Sequence, residues 1–399
     1  MPIDAASIAA HGLDIFDIDV LLTDEERMVR DMVRRFVDEE VFPIIEEHHR
    51  AATFPSSMLK RLGELGLYGP SLKGYGCPGL SNIAYGIAMQ ELERGDSGFR
   101  SAASVQGSLV MWPIHAYGTE EQKEKYLPKL ASGEIIGCFG LTEPDHGSDP
   151  GGMITRATRT DSGWVLKGAK MWITNSPVAD IAIVWAKVEE DGRDTIRGFI
   201  VESDLPGYSA PELKNKWSLR ASVTGEIVLE DVLVPHDAIF ATDPGNLKGP
   251  LSCLTQARYG IAWGALGAAQ GCFESALRYS LEREQFGKPI AAFQLTQKKL
   301  AEMAVEITKG QLLAHRLGIL KDQGAMTPIQ VSVAKLNNVG IACDVARVSR
   351  EIHGAMGILD EYPIMRHIMN LESVKTYEGT NDIHTLSVGR HLTGISAFA

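Results

Sequence analysis

The order of hydrophobic periods along the chain is the feature that most restricts its fold. From residue 22 to about residue 134, apolar side chains recur every three or four positions, the spacing of an amphipathic helix. From about residue 135 the segments become short, alternating and β-branched, with Gly, Asp, Asn and Pro turns between them, which is typical of strands. Helical spacing returns after Gly249 and continues nearly to the end. The pattern predicts helices, then strands, then helices.

This order predicts an α+β, mostly α, fold of three domains. They are an N-terminal helical domain (1–134), a middle antiparallel β domain (135–248) and a C-terminal four-helix bundle (249–399). A chain of 399 residues is too long for one ordinary core, and without alternating βα units a doubly wound nucleotide-binding fold is not expected. The predicted strands are Gly163–Thr174, Ile181–Val188, Arg197–Glu202 and Gly225–Val234. A continuous helix is predicted over Gly98–Ala116, and Thr23 is predicted to cap the first helix together with Glu26.

Composition narrows the possible partners. The 39 Lys and Arg residues are outnumbered by 51 Asp and Glu residues and form no long run, so no nucleic-acid partner is expected. Five scattered cysteines without a CxxC pair favour neither disulfides nor a metal site. The stretch from Met1 to Asp19 is acidic without a targeting pattern, and the longest apolar stretch, Tyr259–Ala269, is too short to cross a bilayer. We expect a cytoplasmic protein without a membrane partner.

Two segments of the middle domain are of a type that binds a cofactor. Residues 139–149, with the sequence FGLTEPDHGSD, form a predicted loop whose backbone N–H groups and Thr142 and Ser148 hydroxyls suit phosphates or a polar ring edge. Thirty residues later, Trp172 has the ring to stack on a planar cofactor, with the Thr174 hydroxyl at its edge. The alternatives are an ordinary loop and a Trp that only packs between layers.

Two segments of the C-terminal domain each allow a functional and a purely structural interpretation when they are considered alone. Arg283 and Gln285 are suited to a pyrophosphate and Gly287 to a turn, but the same residues describe a helix end with a favourable cation and a Gly stop. Glu378 lies in a predicted loop, where it is either a functional carboxylate or an acidic residue before an N-cap at Asn381 or Asp382.

Together and in this order, the motifs resemble the acyl-CoA dehydrogenase family over nearly the whole chain, and within it most of all the glutaryl-CoA dehydrogenases. The stretches that carry the resemblance are Glu91–Arg94, Asp96–Ser101, Cys138–Pro144, Lys170–Pro177, Ala257–Gly264, Thr376–Thr380 and Thr393–Ile395. The resemblance implies the three-domain fold above, FAD between the β domain and the bundle, an electron-transfer flavoprotein as acceptor, and a homo-oligomer, namely a tetramer.

The resemblance also implies roles for individual residues around FAD. Trp172 would cover the flavin ring, Thr142 and Thr174 would bond its polar edge, and Ser148 would approach the pyrophosphate. Phe139, Leu141, Gly147 and Gln294 would be further cofactor contacts, and Thr380 and Asp382 would lie beside the adenosine half. The residues that would hold the FAD of a neighbouring subunit are Arg283, Gln285, Phe286, Gly354 and Gly357.

One departure from the family pattern concerns the turn at residues 353–357. The family usually has Gly-Gly-Asn-Gly there, whereas this chain has His353 followed by Gly354-Ala355-Met356-Gly357. The adenosine contacts of this turn are therefore not carried over, and His353 is predicted to be a packed residue at a helix end.

For the chemistry, the resemblance makes Glu378 the base that removes the thioester α-proton, with Arg258 and Tyr377 close to it. Arg100 occupies the position that binds the distal carboxylate in glutaryl-CoA dehydrogenases. Glu93, Ser101 and Ser104 match the positions that surround it. Burying that carboxylate without a partner would be expensive, so a cation is required. On a continuous helix, Glu93 and Arg100 would share one face.

The implied reaction converts glutaryl-CoA to crotonyl-CoA and CO2. The alternatives are a short-chain acyl-CoA dehydrogenase, a non-decarboxylating glutaryl-CoA dehydrogenase, an acyl-CoA oxidase and a non-catalytic scaffold that binds flavin or CoA.

Overall fold

The computed structural model describes residues 13–398, so the predictions for Met1 to Gly12 and for Ala399 lie outside the described residues. The part before the sheet is helical, as predicted. Its helices are α1 (Asp24–Phe36), α2 (Phe42–Ala51), α3 (Ser57–Glu64), α4 (Asn82–Gly95), α5 (Ser97–Ser104), α6 (Trp112–Tyr117) and α7 (Glu120–Ser132). The capping box at α1 is confirmed, because Thr23 Oγ1 accepts from the Glu26 N–H and Glu26 Oε2 accepts from the Thr23 N–H.

The continuous helix predicted over Gly98–Ala116 is wrong in detail. A π-helical segment, Val105–Met111, separates α5 from α6. Pro113, in the first turn of α6, has no N–H to donate to the preceding turn, which accounts for the change in hydrogen bonding. A second π-helical segment, Val37–Val41, joins α1 to α2.

The middle of the chain forms a seven-stranded sheet. Its strands are β1 (Gly137–Gly140), β2 (Arg156–Thr160), β3 (Gly163–Thr174), β4 (Ile181–Glu190), β5 (Arg193–Glu202), β6 (Tyr208–Ser209) and β7 (Thr224–Val234). The order is β1-β4-β2-β3-β7-β6, with β5 also paired to β4. The hairpins β2–β3 and β4–β5 are antiparallel, as predicted, but β4 runs parallel to β1 and β2. Long connections allow this parallel pairing, whereas short turns enforce the antiparallel one.

The last part of the chain is again helical. It contains α8 (Lys248–Glu282), α9 (Gln294–Asp322), α10 (Pro328–His353), α11 (Ile364–Thr376) and α12 (Asn381–Thr393). Helices α8 to α11 pack on one another, and α8 also packs along α4. Gly267 permits the close approach of α8 to α4, since a Cβ there would lie 1.8 Å from the Gln90 carbonyl oxygen.

Helices α8 and α10 run in the same direction, which decides where the functional residues lie. At their C-terminal ends the rings of Tyr279 and His353 stack with centroids 4.6 Å apart. Near their N-terminal ends Arg258 and Lys335 both reach the loop between α11 and α12. The bundle therefore has two distinct ends. Within residues 13–398, no helix has both the length and the hydrophobicity needed to cross a membrane. The predicted domain limits at 134/135 and 248/249 stay a prediction.

Candidate active site

The loop between α11 and α12 presents Glu378 in an unusual backbone conformation. Glu378 has φ = 53° and the following Gly379 has φ = 97°. A non-glycine residue in the left-handed region carries a conformational cost, so the surrounding contacts must hold it there. Thr380 caps α12 by accepting a hydrogen bond from the Ile383 N–H. The N-cap is therefore Thr380, and the cap suggested at Asn381 or Asp382 is wrong. Asp382 is exposed in the first turn of α12.

Two cations hold three consecutive carbonyl groups of this loop. Lys335 Nζ donates to the carbonyl oxygens of Tyr377 at 2.5 Å and Gly379 at 2.6 Å, and Arg258 Nε donates to that of Glu378 at 2.5 Å. Lys335 is fully buried. Lys335 was not predicted as a site residue, because a lysine within the helical pattern of α10 carries no other signal in the sequence.

The Glu378 carboxylate lies in an environment that favours its neutral form. The side chain as a whole is half-buried, but Oε2 is buried and accepts no hydrogen bond from any described residue. Burial raises the pKa of Glu378, and the positive charges of Arg100, Lys335 and Arg258 oppose the rise. Burial also lowers the pKa of Lys335 to about 7. A carboxylate with a raised pKa is a stronger base than an ordinary glutamate.

Arg100 and Glu93 form a buried ion pair next to this loop. Arg100 Nε lies 2.7 Å from Glu93 Oε2, and Arg100 Nη2 donates to the Tyr377 hydroxyl. Ser97 Oγ donates to the other Glu93 oxygen at 2.9 Å. Arg100 is 1% exposed and Glu93 0%, and burial raises the pKa of Glu93. The pair thus connects the predicted substrate residues with the loop that bears Glu378.

Glu93 and Arg100 do not share one helix face, so that prediction is wrong, although the two side chains do meet. Glu93 belongs to α4 and Arg100 to α5, and the chain turns between them at Asp96, whose carboxylate accepts the Gly98 N–H at 2.7 Å and caps α5. Ser101 and Ser104 lie on α5 and are buried. Ser104 Oγ makes no hydrogen bond of good geometry in the described chain and lies beside the Tyr85 hydroxyl.

Trp172 occupies an exposed and strained position on β3. It has φ = 62° at a register shift between Lys170 and Ile173, and it is 60% exposed. The alternative that it only packs between layers is therefore wrong. The Met171 N–H donates to the Thr142 carbonyl oxygen at 2.9 Å, which holds the loop after β1 against β3. Trp172, Thr142 and the half-buried Thr174 thus belong to one patch.

A buried ion pair behind this patch, between Glu143 and Lys170, holds the loop. Their side chains meet at 2.8 Å, and Glu143 also accepts the N–H groups of Ile154 and Thr155 at 2.6 and 3.0 Å. Burial lowers the pKa of Lys170 to about 8. Lys170 Nζ also donates to the Leu141 carbonyl oxygen at 3.1 Å. Both residues lie in motifs named above, but their support of the loop was not predicted.

The remaining residues of the predicted loop divide into two groups. Gly147 and Ser148 are exposed, whereas Leu141 and Phe139 are buried. Phe139 lies in β1, and its ring contacts Trp185 with centroids 6.3 Å apart. The Phe139 side chain therefore belongs to the apolar core.

The other predicted cofactor residues lie at the opposite end of the bundle. After Arg283 the chain forms a two-residue hairpin, with Glu284–Gln285 paired to Lys288–Pro289 and Phe286 94% exposed at its tip. The alternative that this segment only ends a helix is thus incomplete, because a hairpin follows the helix. Gln294 begins α9 and is exposed.

The turn after α10 lies at this same end. Gly354 is exposed at φ = 58°, and Gly357 is buried. The packed role predicted for His353 is confirmed, because His353 stacks on Tyr279 and bonds Ser275 and Ser349.

Within one chain, the residues around Arg283 and Gly354 do not come close to the loop that carries Glu378. Arg258 and Tyr279 are 279 − 258 = 21 positions apart on α8. At 1.5 Å per residue this separates the two ends by about 30 Å.

Comparison with known proteins agrees with this architecture. The family models of the acyl-CoA dehydrogenase N-terminal, middle and C-terminal domains match residues 23–134, 138–232 and 248–393. The chain belongs to the acyl-CoA dehydrogenase family, whose members are FAD-dependent enzymes.

Individual relatives include both glutaryl-CoA dehydrogenases and short-chain specific acyl-CoA dehydrogenases. A glutaryl-CoA dehydrogenase structure from Mycobacterium smegmatis is 55% identical, has a TM-score of 0.94, and the match covers 97% of this chain and 99% of that one. A second structure of a glutaryl-CoA dehydrogenase from that organism, in complex with FADH2, is 52% identical with the same TM-score and coverage. The mitochondrial short-chain specific acyl-CoA dehydrogenase of Bos taurus is 35% identical over 375 residues, which cover 94% of this chain and 91% of the relative.

Proposed function

We propose that this chain is a cytoplasmic glutaryl-CoA dehydrogenase that binds FAD, converts glutaryl-CoA to crotonyl-CoA and CO2, and passes the electrons to an electron-transfer flavoprotein. The observation that carries the proposal is the buried Arg100–Glu93 pair beside Glu378. The 55% identity to a glutaryl-CoA dehydrogenase structure supports the same substrate.

Arg100 retains hydrogen-bonding capacity for a ligand. A guanidinium has five donors, and the described residues take up Nε and Nη2 but not Nη1. Burial raises the pKa of Glu93, which favours its neutral form and so makes the Arg100 charge more available to a second carboxylate. An acyl chain that ends in a carboxylate would thus find a buried cation, whereas an uncharged chain would leave Arg100 to Glu93.

Glu378 is proposed to take the α-proton of the thioester. Its unbonded carboxylate oxygen and its raised pKa suit this role. The Glu378 amide N–H donates to no described residue and is proposed to bind the thioester oxygen, on which negative charge develops. FAD, when bound, accepts the hydride from the β-carbon.

The residues around Trp172 fit FAD. Trp172 is exposed and offers a ring face, and Thr142 and Thr174 carry the hydroxyls that we propose to bond the polar edge of the flavin. Ser148 and Gly147 lie on the exposed part of the loop, where a pyrophosphate could reach their N–H groups. Thr380 and Asp382 are proposed to lie beside the adenosine half.

The distance of about 30 Å along α8 supports a homo-oligomer, which we propose to be a tetramer. Arg283, Gln285, Phe286 and Gly354 are exposed at an end of the bundle that does not reach Glu378 of the same chain. A second copy of this chain would bring them to its own FAD, and Gln294 begins the helix beside them.

A short-chain acyl-CoA dehydrogenase is the second candidate, favoured by the short-chain specific relative described above. The deciding experiment compares the turnover of glutaryl-CoA and butyryl-CoA before and after Arg100→Ala. A charge-assisted contact of about 1.5–3 kcal/mol predicts that the preference for glutaryl-CoA falls by about 10- to 100-fold. The double variant Glu93→Gln/Arg100→Met, which removes both charges, separates lost recognition from the burial of an unpaired Glu93. Equal losses on both substrates would refute the carboxylate-binding role.

A further inference from the structure

Lys335 lies at the base of the loop that carries Glu378, yet it belongs to no motif of the sequence. Its side chain is fully buried, and its ammonium group has no carboxylate hydrogen-bond partner among the described residues. A buried cation without such a partner is expensive, so a lysine is an unlikely choice if only packing is required at this position.

The contacts of Lys335 are directed at the backbone on both sides of Glu378. Nζ donates to the carbonyl oxygens of Tyr377 and Gly379, at 2.5 and 2.6 Å, and lies 5.9 Å from the centre of the Tyr377 ring. Arg258 binds the one carbonyl between them. With all three carbonyl oxygens held by cations, the peptide planes around Glu378 cannot rotate freely. The positive φ of Glu378 is thereby maintained.

We propose that Lys335 is a positioning residue for the reaction: its two hydrogen bonds fix the peptide plane between Tyr377 and Glu378 and the plane after Gly379, while Arg258 holds the plane between them, so that the carboxylate and the amide N–H keep one orientation toward the thioester. This inference rests on the proposed function, in which Glu378 is the base. Lys335 touches neither substrate nor cofactor in this account and acts only through the loop.

The Lys335 charge also acts on the pKa of Glu378. The pH dependence of the rate therefore reports on Lys335 in a way that a change in packing alone would not reproduce. The positive charge opposes the rise of the Glu378 pKa, so its removal should raise that pKa further. The charged and titratable groups that face Glu378 from the surrounding helices are Arg100, Arg258, Lys335, Tyr85 and His384. Of these, only the Lys335 charge changes in the variant below.

The test uses the FAD-loaded enzyme with Lys335→Met, which keeps the apolar stem and removes the donors. Flavin content and thioester binding should be retained. The rate of flavin reduction by glutaryl-CoA should fall by about 10- to 100-fold, because a small displacement of a reacting group costs about that much. The acid limb of the kcat/KM profile should move to higher pH. Lys335→Arg, which keeps the charge and the donors, should recover part of the rate and return the limb toward that of the wild type.

Lys321→Met is the matched control, since Lys321 is a lysine of the same bundle whose ammonium lies over the Tyr259 and Tyr85 rings. Its removal should lower the melting temperature without moving the acid limb. If Lys335→Met does not fold, Lys335→Gln replaces it, and the limb must again move upward. A wild-type rate and an unmoved limb in the folded Lys335 variant would overturn the positioning role. Rapid flavin reduction by Glu378→Gln would instead overturn the proposed function.

Discussion

The two ends of the C-terminal bundle differ in how complete they are within one chain. At the end near Glu378, Arg258 and Lys335 are built into the helices and every carbonyl of the loop has a donor. At the other end, the hairpin around Phe286 and the turn at Gly354 project from the surface. The first end is organised by its own chain, whereas the second presents the exposed groups that we propose to contact another copy of this chain. Separate substitutions at the two ends should therefore affect the proposed reaction and the proposed assembly independently.

The largest effect is expected at the buried end, from Glu378→Gln. This change keeps the size and the backbone contacts but removes the proposed base, so flavin reduction by an acyl-CoA should slow by about 10²- to 10⁴-fold. Stopped-flow absorbance of the bound flavin measures it. FAD content and the binding of a thioester product should not change, and a variant that has lost FAD would not count as support.

At the exposed end, Phe286→Asp should weaken assembly. An anchoring aromatic residue contributes about 2 kcal/mol or more, so subunit association should weaken by at least about 30-fold and FAD should be retained less well. Light scattering after size-exclusion chromatography and the flavin-to-protein ratio measure both effects. Met28→Asp, at an apolar residue of α1 that is 68% exposed, is the control and should leave assembly intact. An unchanged oligomer in the Phe286 variant would contradict the interface role.

The buried end should also make the free energy of unfolding depend on pH. His384 lies beside the loop, and burial lowers its pKa from 6.5 to about 3, with Lys335 and Arg258 acting in the same direction. Because the folded pKa is lower than the unfolded one, the unfolded chain binds the proton first. Stability is therefore complete above about pH 6.5 and is lost as the pH falls toward 3. His384 alone should lower the free energy of unfolding at pH 5 by about 2 kcal/mol relative to pH 8, in addition to the contributions of other buried histidines such as His49 and His367.

Urea unfolding at the two pH values measures this dependence. His384→Leu should reduce the difference, whereas the exposed His391→Leu on the same helix should not. An identical pH dependence in the wild type and in His384→Leu would remove His384 from the explanation.

The smallest effect is expected at the flavin patch. Trp172→Gly removes the proposed stacking ring and should raise the dissociation constant of FAD by about 10-fold. The same change relieves the positive φ of a bulky residue, so the apoprotein should be no less stable. Flavin fluorescence on dilution and the melting temperature of the apoprotein give the two values. Trp172→Phe keeps a ring and should retain most of the affinity; equal FAD affinity in the Gly variant would contradict the stacking role.

Sequence patterns correctly predicted those elements that depend on interactions between residues close in sequence. Strand β3 was predicted at its observed limits, and the Thr23–Glu26 cap was predicted because both interactions lie within one turn. The motif residues Glu378, Arg100 and Trp172 were identified by their resemblance to a family, and the structure brings Arg100 near Glu378. What could not be predicted depends on which helices converge. Lys335 becomes significant only because α10 passes below the loop after α11, and no spacing in the sequence records that contact.

Two errors have the same origin. The Glu93–Arg100 pair was assigned to one helix because a spacing of seven fits two turns, yet Asp96 ends α4 and caps α5. The parallel pairing of β1 with β4 was missed because the two strands are far apart in sequence and only the sheet relates them. In both cases the local spacing of residues was described correctly, but it did not determine where the elements lie in three dimensions.

The central claim is that Glu378 deprotonates an acyl chain whose end is held by Arg100, and a single turnover tests it most directly. The FAD-loaded enzyme is mixed without oxygen with glutaryl-CoA, and flavin bleaching and CO2 release are followed together. We expect rapid bleaching with about one CO2 released per flavin, as the proposed reaction requires. Absence of bleaching by glutaryl-CoA, with rapid bleaching by butyryl-CoA, would contradict it.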